Sequence, residues 1–125
     1  MPTLGRRIRA AREAKDLSLR EVAKAVGVSP TFLSLLETDQ VVSAKEGSDN
    51  AIPIKEEKLT ALANILGEPP VVLMALAGKM PKRLQAIVLK HPEEFALLLE
   101  RLEGVSEVGV LKVAVAAKKV RDGKW

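Results

Sequence analysis

The sequence predicts an all-α protein, and three observations carry that reading. Apolar residues recur three and four apart, the helical spacing, in one segment after another. Start signals stand in front of such segments: Ser18 with Glu21, and Ser29 with Pro30. Glycines at positions 27, 67, 78, 104 and 123 stand just behind them, where helices stop. Aromatic residues are nearly absent (Phe32, Phe95 and Trp125), so the core is expected to be built from Leu, Val, Ile and Ala.

The first helix is expected over residues 4–15, capped by Thr3, with Leu4, Ile8 and Ala11 as its inner stripe. Arg6, Arg7, Arg9 and Arg12 are spread around the rest; most read as surface, with one or two in reach of a phosphate. Asp16 and Leu17 lead into a second helix. There the Ser18 hydroxyl is placed to accept an orphan amide while the Glu21 carboxylate reaches back, the two halves of a capping box. Val22, Ala23 and Val26 follow on one face, and Gly27 can take the left-handed conformation that ends the helix. Ser29 caps the third helix and Pro30 occupies its first position, where a missing N–H costs nothing. Leu33 and Leu36 supply its buried stripe. The turn between the helices is so short that they must cross steeply, and the small Ala23 lets them approach.

Residues 18–37 resemble the helix-turn-helix of the phage lambda repressor/Cro class, also called the Xre family of bacterial and phage regulators. The resemblance is carried by Ala23, the turn Gly27-Val28-Ser29, and Leu33-Ser34-x-Leu36-Glu37. A bare helical hairpin needs only the glycine and the apolar stripe; here both caps, the alanine and the following Glu agree. The resemblance implies a protein that binds double-stranded DNA, with a first helix packed across the hairpin. Ser18, Ala23, Gly27, Leu33 and Leu36 would be the structural residues of the motif. The third helix would lie in the major groove with its N-terminal residues at base edges. Ser29, Pro30, Thr31, Ser34 and Leu35 would face outward, with Thr38 at the far end. Phe32 either packs under the helix or touches a thymine methyl. Arg20 would add charge beside the start of the second helix, whose free amides and positive dipole end suit a phosphate.

Two residues depart from the family pattern. Many relatives carry Gln where this chain has Leu19, and Arg or Lys where it has Leu35. The usual bidentate reader of guanine is therefore missing, and thymine methyls and groove shape are expected to matter more.

A third departure is length. The family passes to its next helix through a short loop, whereas here the Pro-x-x-Glu-x-x-Leu start, Pro53 to Leu59, arrives late. Residues 38–52 read as carrying an insertion. Gly47-Ser48-Asp49-Asn50 is a turn cluster, and Val41-Val42 and Ala51-Ile52 flank it at a distance that permits a small β-hairpin. A mobile loop is the alternative. Its acidity makes it a poor DNA-gripping wing.

The fourth helix is expected over residues 55–66, with Leu59, Leu62, Ala63 and Leu66 inward, and a short fifth over 71–77 behind Pro69-Pro70. These complete a five-helix lambda-repressor-like DNA-binding domain, residues 1–78, with a C-terminal helical extension, residues 79–125. In the extension, residues 81–90 and 92–103 read as helices broken at His91-Pro92. Residues 106–120 read as a third, because Lys118, Lys119 and Arg121 sit where a last turn would be; a strand over 108–115 is the alternative. Leu97, Leu98, Leu99, Leu102, Val108, Leu111 and Val115 are more apolar surface than such elements hide between themselves, which points to an interface.

Composition narrows the function classes. Net charge is +4, and residues 1–36 carry seven basic against three acidic side chains, so positive charge gathers on the motif. There is no cysteine and His91 is the only histidine, read as a helix C-cap. No catalytic residue, metal site or cofactor is expected, and the chain does not read as an enzyme. The N-terminus lacks a signal peptide and the longest apolar run, residues 71–77, is too short to span a bilayer, so a cytoplasmic, nucleoid-associated protein without membrane contact is expected. The expected function is a sequence-specific transcriptional regulator, a homodimeric repressor. Its rival is an antitoxin-type or partner-controlled protein whose residues 79–125 bind another protein.

Overall fold

The computed structural model describes residues 3–41 and 52–124 of the chain. Among these residues there are eight α-helices and no strand: α1 (Leu4–Ala14), α2 (Leu19–Val26), α3 (Pro30–Glu37), α4 (Glu56–Leu66), α5 (Pro70–Leu76), α6 (Lys82–Lys90), α7 (Pro92–Arg101) and α8 (Glu107–Arg121). The all-helical class agrees with the sequence reading. A hairpin or loop around Gly47-Ser48-Asp49-Asn50 lies outside the described residues. The chain divides into two compact units, Met1–Lys82 and Arg83–Trp125.

In the first unit the helices begin where side chains satisfy their free amides. Thr3 accepts from the Arg6 amide, Ser18 from Glu21 and Ser29 from Phe32. The capping box is complete, since the Ser18 amide also donates to Glu21 at 3.1 Å. Gly27 has φ +84°, the left-handed cap that ends α2. The carbonyls of Val26 and Gly27 there also accept from the Lys58 ammonium, both at 3.2 Å, a cation where the dipole of α2 is negative.

Helix α1 packs against α3 and α4, α2 against α3 and α4, and α4 against α5. Their inner faces make one aliphatic core: Leu4, Ile8, Val22, Ala23, Val26, Leu33, Leu36, Ile54, Leu59, Leu62, Ala63, Leu66, Leu73, Met74 and Ala77. Ala23 is fully buried at the crossing of the hairpin. Gly5 marks another close approach. A Cβ there would lie 2.4 Å from the Leu36 carbonyl oxygen and 2.7 Å from that of Glu37, so α1 touches the backbone at the end of α3. Asp39 seals this junction, accepting from the Thr3 hydroxyl at 2.6 Å and the Gly5 amide at 3.1 Å. Beyond the undescribed segment, the Ile52 amide donates to the Ala77 carbonyl at 3.0 Å, and Lys79 donates to the Ile54 carbonyl.

The second unit is different in kind. None of α6, α7 and α8 buries a residue. At residues 108–115 the helix prevails over the strand. Ser106 accepts from the Gly109 amide at its start, and Lys118, Lys119 and Arg121 occupy its last turn. His91 closes α6 as expected, its backbone N–H donating to the Ile87 and Val88 carbonyls, and it is also the N-cap residue of α7, without a side-chain cap. Among the described residues no helix is long and apolar enough to cross a membrane.

Candidate nucleic-acid interface

The short turn Gly27-Val28-Ser29 sets the two helices of the motif at their angle, and the structure brings most of the proposed contact residues to one place. Ser18, Leu19 and Arg20 at the start of α2, and Pro30, Thr31, Ser34 and Leu35 on the outer face of α3, line one open groove. Leu33 and Leu36 point the other way and are buried. Thr31 and Ser34 are exposed, and no hydrogen bond among the described residues engages their hydroxyls. The groove thus offers two hydroxyls unengaged among the described residues, an apolar Leu35 and a guanidinium along one edge.

Three residues proposed from the sequence stand differently. Phe32 is partly exposed and packs against the core, the first of the two placements the sequence allows it. The Ser29 oxygen accepts the Phe32 amide at 3.0 Å, so its first duty is to start α3. Thr38 is exposed, but its hydroxyl donates back to the Ser34 carbonyl at 3.0 Å and accepts from Gln40 Nε2 at 2.9 Å.

The charge around the site is smaller than the sequence suggests. Arg7 pairs with Glu68 at 2.8 Å, and Arg9 with Glu13 at 3.1 Å. Arg12 is a correction: it is not a surface residue. Its guanidinium grips the Glu37 carboxylate at 2.7 and 3.0 Å and the Leu17 carbonyl at 2.9 Å, with the Glu37 side chain only 4% exposed. The hydrogen bond to Glu37 raises the Arg12 pKa further, against the opposing effect of burial. Arg20 and Lys24, both exposed on α2, have no acidic partner among the described residues. Four apart, they share a face of the helix.

Glu21 is tuned by its cap. The Ser18 backbone amide, and then the Ser18 hydroxyl, hold its carboxyl below the ordinary carboxylate range. A depressed folded-state pKa means the contribution is complete above the ordinary range and is lost as pH falls through the lowered value.

Sequence reasoning counted Glu37 in the motif but missed its pairing with Arg12, and it missed the roles of Asp39 and Lys58. Two of these had a signal: Arg12 continues the Leu4–Ile8 stripe at the next fourth residue, and Glu37 follows Leu33 in the same way.

The sequence model of the family described as "Helix-turn-helix domain" matches residues 3–76. The chain belongs to the helix-turn-helix domain family. Membership of this helix-turn-helix family makes it a DNA-binding transcriptional regulator, not an enzyme. Two solved structures resemble it. One is the clp gene regulator ClgR from Corynebacterium glutamicum, at 25% identity and TM-score 0.45, covering 84% of this chain and 94% of that one. The other is the SinR protein/SinI protein complex, at 21% identity and TM-score 0.46, covering 97% of this chain and 99% of that one. Comparison with curated proteins gives no match.

Proposed function

We propose that this chain is a sequence-specific transcriptional repressor of the Xre type, acting on the nucleoid in the cytoplasm as a homodimer. The observation that supports this best is the groove between the capped start of α2 and the outer face of α3. In this reading α3 enters the major groove, Thr31, Ser34 and Leu35 meet base edges, and the start of α2 with Arg20 meets a phosphate. Residues 1–78 form the DNA-binding part and residues 79–125 serve association. A dimer would set two copies of α3 about 34–36 Å apart, one turn of DNA, so its operator is expected to be near-palindromic.

A second reading has its own support in the exposed side chains of the extension, such as Leu89 at 78%, Val108 at 63% and Leu111 at 62%. Here α6–α8 capture a different protein, as in an antitoxin-type or partner-controlled regulator. Selection of sites from random duplex DNA, with light scattering of the free protein, tests both. An enriched palindrome and a dimeric mass are expected. A monomer that still selects a site would favour the second reading, and no enriched sequence would overturn the first.

A further inference from the structure

The outer face of α3 carries a narrow set of chemistries. Its sequence, Pro30-Thr31-Phe32-Leu33-Ser34-Leu35-Leu36-Glu37, contains no Arg, Lys, Asn or Gln. Its one long polar side chain, Glu37, is buried and held by Arg12 at 2.7 and 3.0 Å. The hydroxyls at its two ends are engaged, Ser29 by the Phe32 amide and Thr38 by the Ser34 carbonyl. What faces outward is Pro30, Thr31, Ser34 and Leu35, the last 38% exposed.

Against a DNA edge this set is selective by elimination. Bidentate contact to guanine needs Arg or Lys, contact to adenine needs Asn or Gln, and the cytosine amine is read by Glu or Asp. α3 presents none of them. An apolar surface in the major groove reads one feature, the methyl group on C5 of a pyrimidine. Thymine carries that methyl, and so does 5-methylcytosine. The two bases differ beside it, where thymine offers a carbonyl acceptor and cytosine an amine donor. Thr31 and Ser34 hydroxyls both donate and accept, so they can meet either.

We infer that this protein selects its sites through pyrimidine C5-methyl groups packed on Leu35 and the Thr31 methyl, so that thymine and 5-methylcytosine are both accepted and methylation of a cytosine at that position strengthens binding. The inference rests on α3 lying in the major groove as proposed above. Burial of one methyl is worth roughly fourfold in affinity, and one in each of two half-sites roughly fifteenfold.

The test uses the full-length protein and a duplex it has selected from random sequence. Each thymine is replaced in turn by uracil, which removes the methyl and leaves the base pair. At the sensitive position, cytosine and 5-methylcytosine duplexes are then compared. The expected result is a roughly fourfold loss for uracil per half-site, and a gain of similar size for 5-methylcytosine over cytosine. Leu35→Ala, at an exposed position, should melt like the wild type yet show a smaller difference between thymine and uracil duplexes, because the Thr31 methyl remains. Arg20→Ala should weaken both and keep their ratio. Uracil duplexes that bind as well as thymine duplexes overturn the inference while leaving the groove reading intact. Equal binding of cytosine and 5-methylcytosine overturns its methylcytosine half. A selection without any enriched sequence overturns the groove reading, and the inference with it.

Discussion

Arg12 and Glu37 show how a pair of charged residues can belong to a core. The Glu37 residue is 6% exposed, and the Arg12 side chain that neutralises it is 14% exposed. Removing one partner leaves the other as an uncompensated buried charge, which costs about 3–5 kcal/mol. Arg12→Met should therefore lower the Tm of the first unit by roughly 12 °C or more. Glu37→Leu in the same chain should restore most of the loss, since a buried pair can be replaced by apolar side chains of similar volume. A double variant as unstable as the single one would mean the pair is not the cause. In the groove, Thr31 and Arg20 separate two kinds of contact. Thr31→Ala should change preference at particular base pairs by about 1–3 kcal/mol. Arg20→Ala should weaken every site alike, because phosphate contacts carry no sequence. Identical behaviour of the two variants across a panel of operators would reject this docking.

At the scale of elements, the hairpin depends on where α2 stops. Gly27 at φ +84° occupies a region that costs an ordinary L-residue about 1–2 kcal/mol, and a β-branched residue more. A Cβ there would meet only the Lys58 ammonium, at 2.8 Å, the movable end of a long side chain. The backbone, not crowding, is thus the main cost. Gly27→Val should lower both Tm and DNA affinity, whereas Gly27→Asn, which tolerates the left-handed region, should lose much less. Equal losses for the two would place the cause elsewhere than in φ.

At the scale of the molecule, two expectations follow from how charge and apolar surface are distributed. With Arg7, Arg9 and Arg12 paired internally, the cations left for phosphate on α2 are Arg20 and Lys24. Four such contacts in a dimer give a salt slope near −3.6, or roughly a 100-fold loss of affinity between about 50 and 200 mM salt. A loss above about 10⁴ would mean that cations of α1 also reach phosphate on binding, Arg6 or the arginines now paired. The second expectation concerns the extension. The first unit runs to Lys82; Pro81 is buried and Lys79 is tied to the Ile54 carbonyl. A fragment ending at residue 82 should fold, remain helical, and bind its operator far more weakly as a monomer. Sedimentation showing a dimeric fragment would put the interface in the first unit, and an unfolded fragment would make the chain one inseparable core.

How much of this was legible in the sequence depends on whether the signal is local. Ser18 with Glu21, Ser29 with Pro30, Ser106 and Gly27 announce their helices because a cap is made by residues two or three apart, whose spacing the chain itself sets. The stripe of Val22, Ala23, Val26, Leu33 and Leu36 likewise follows from helical period alone, and with it the outward placement of Thr31, Ser34 and Leu35. The tertiary structure decided what depends on partners far along the chain. It buried Glu37 against Arg12, set Asp39 on the start of α1, brought Lys58 to the end of α2, and placed Phe32 against the core. These are contacts between residues some 25 to 36 positions apart, and a charge reads the same in sequence whether it meets water, phosphate or a buried carboxylate.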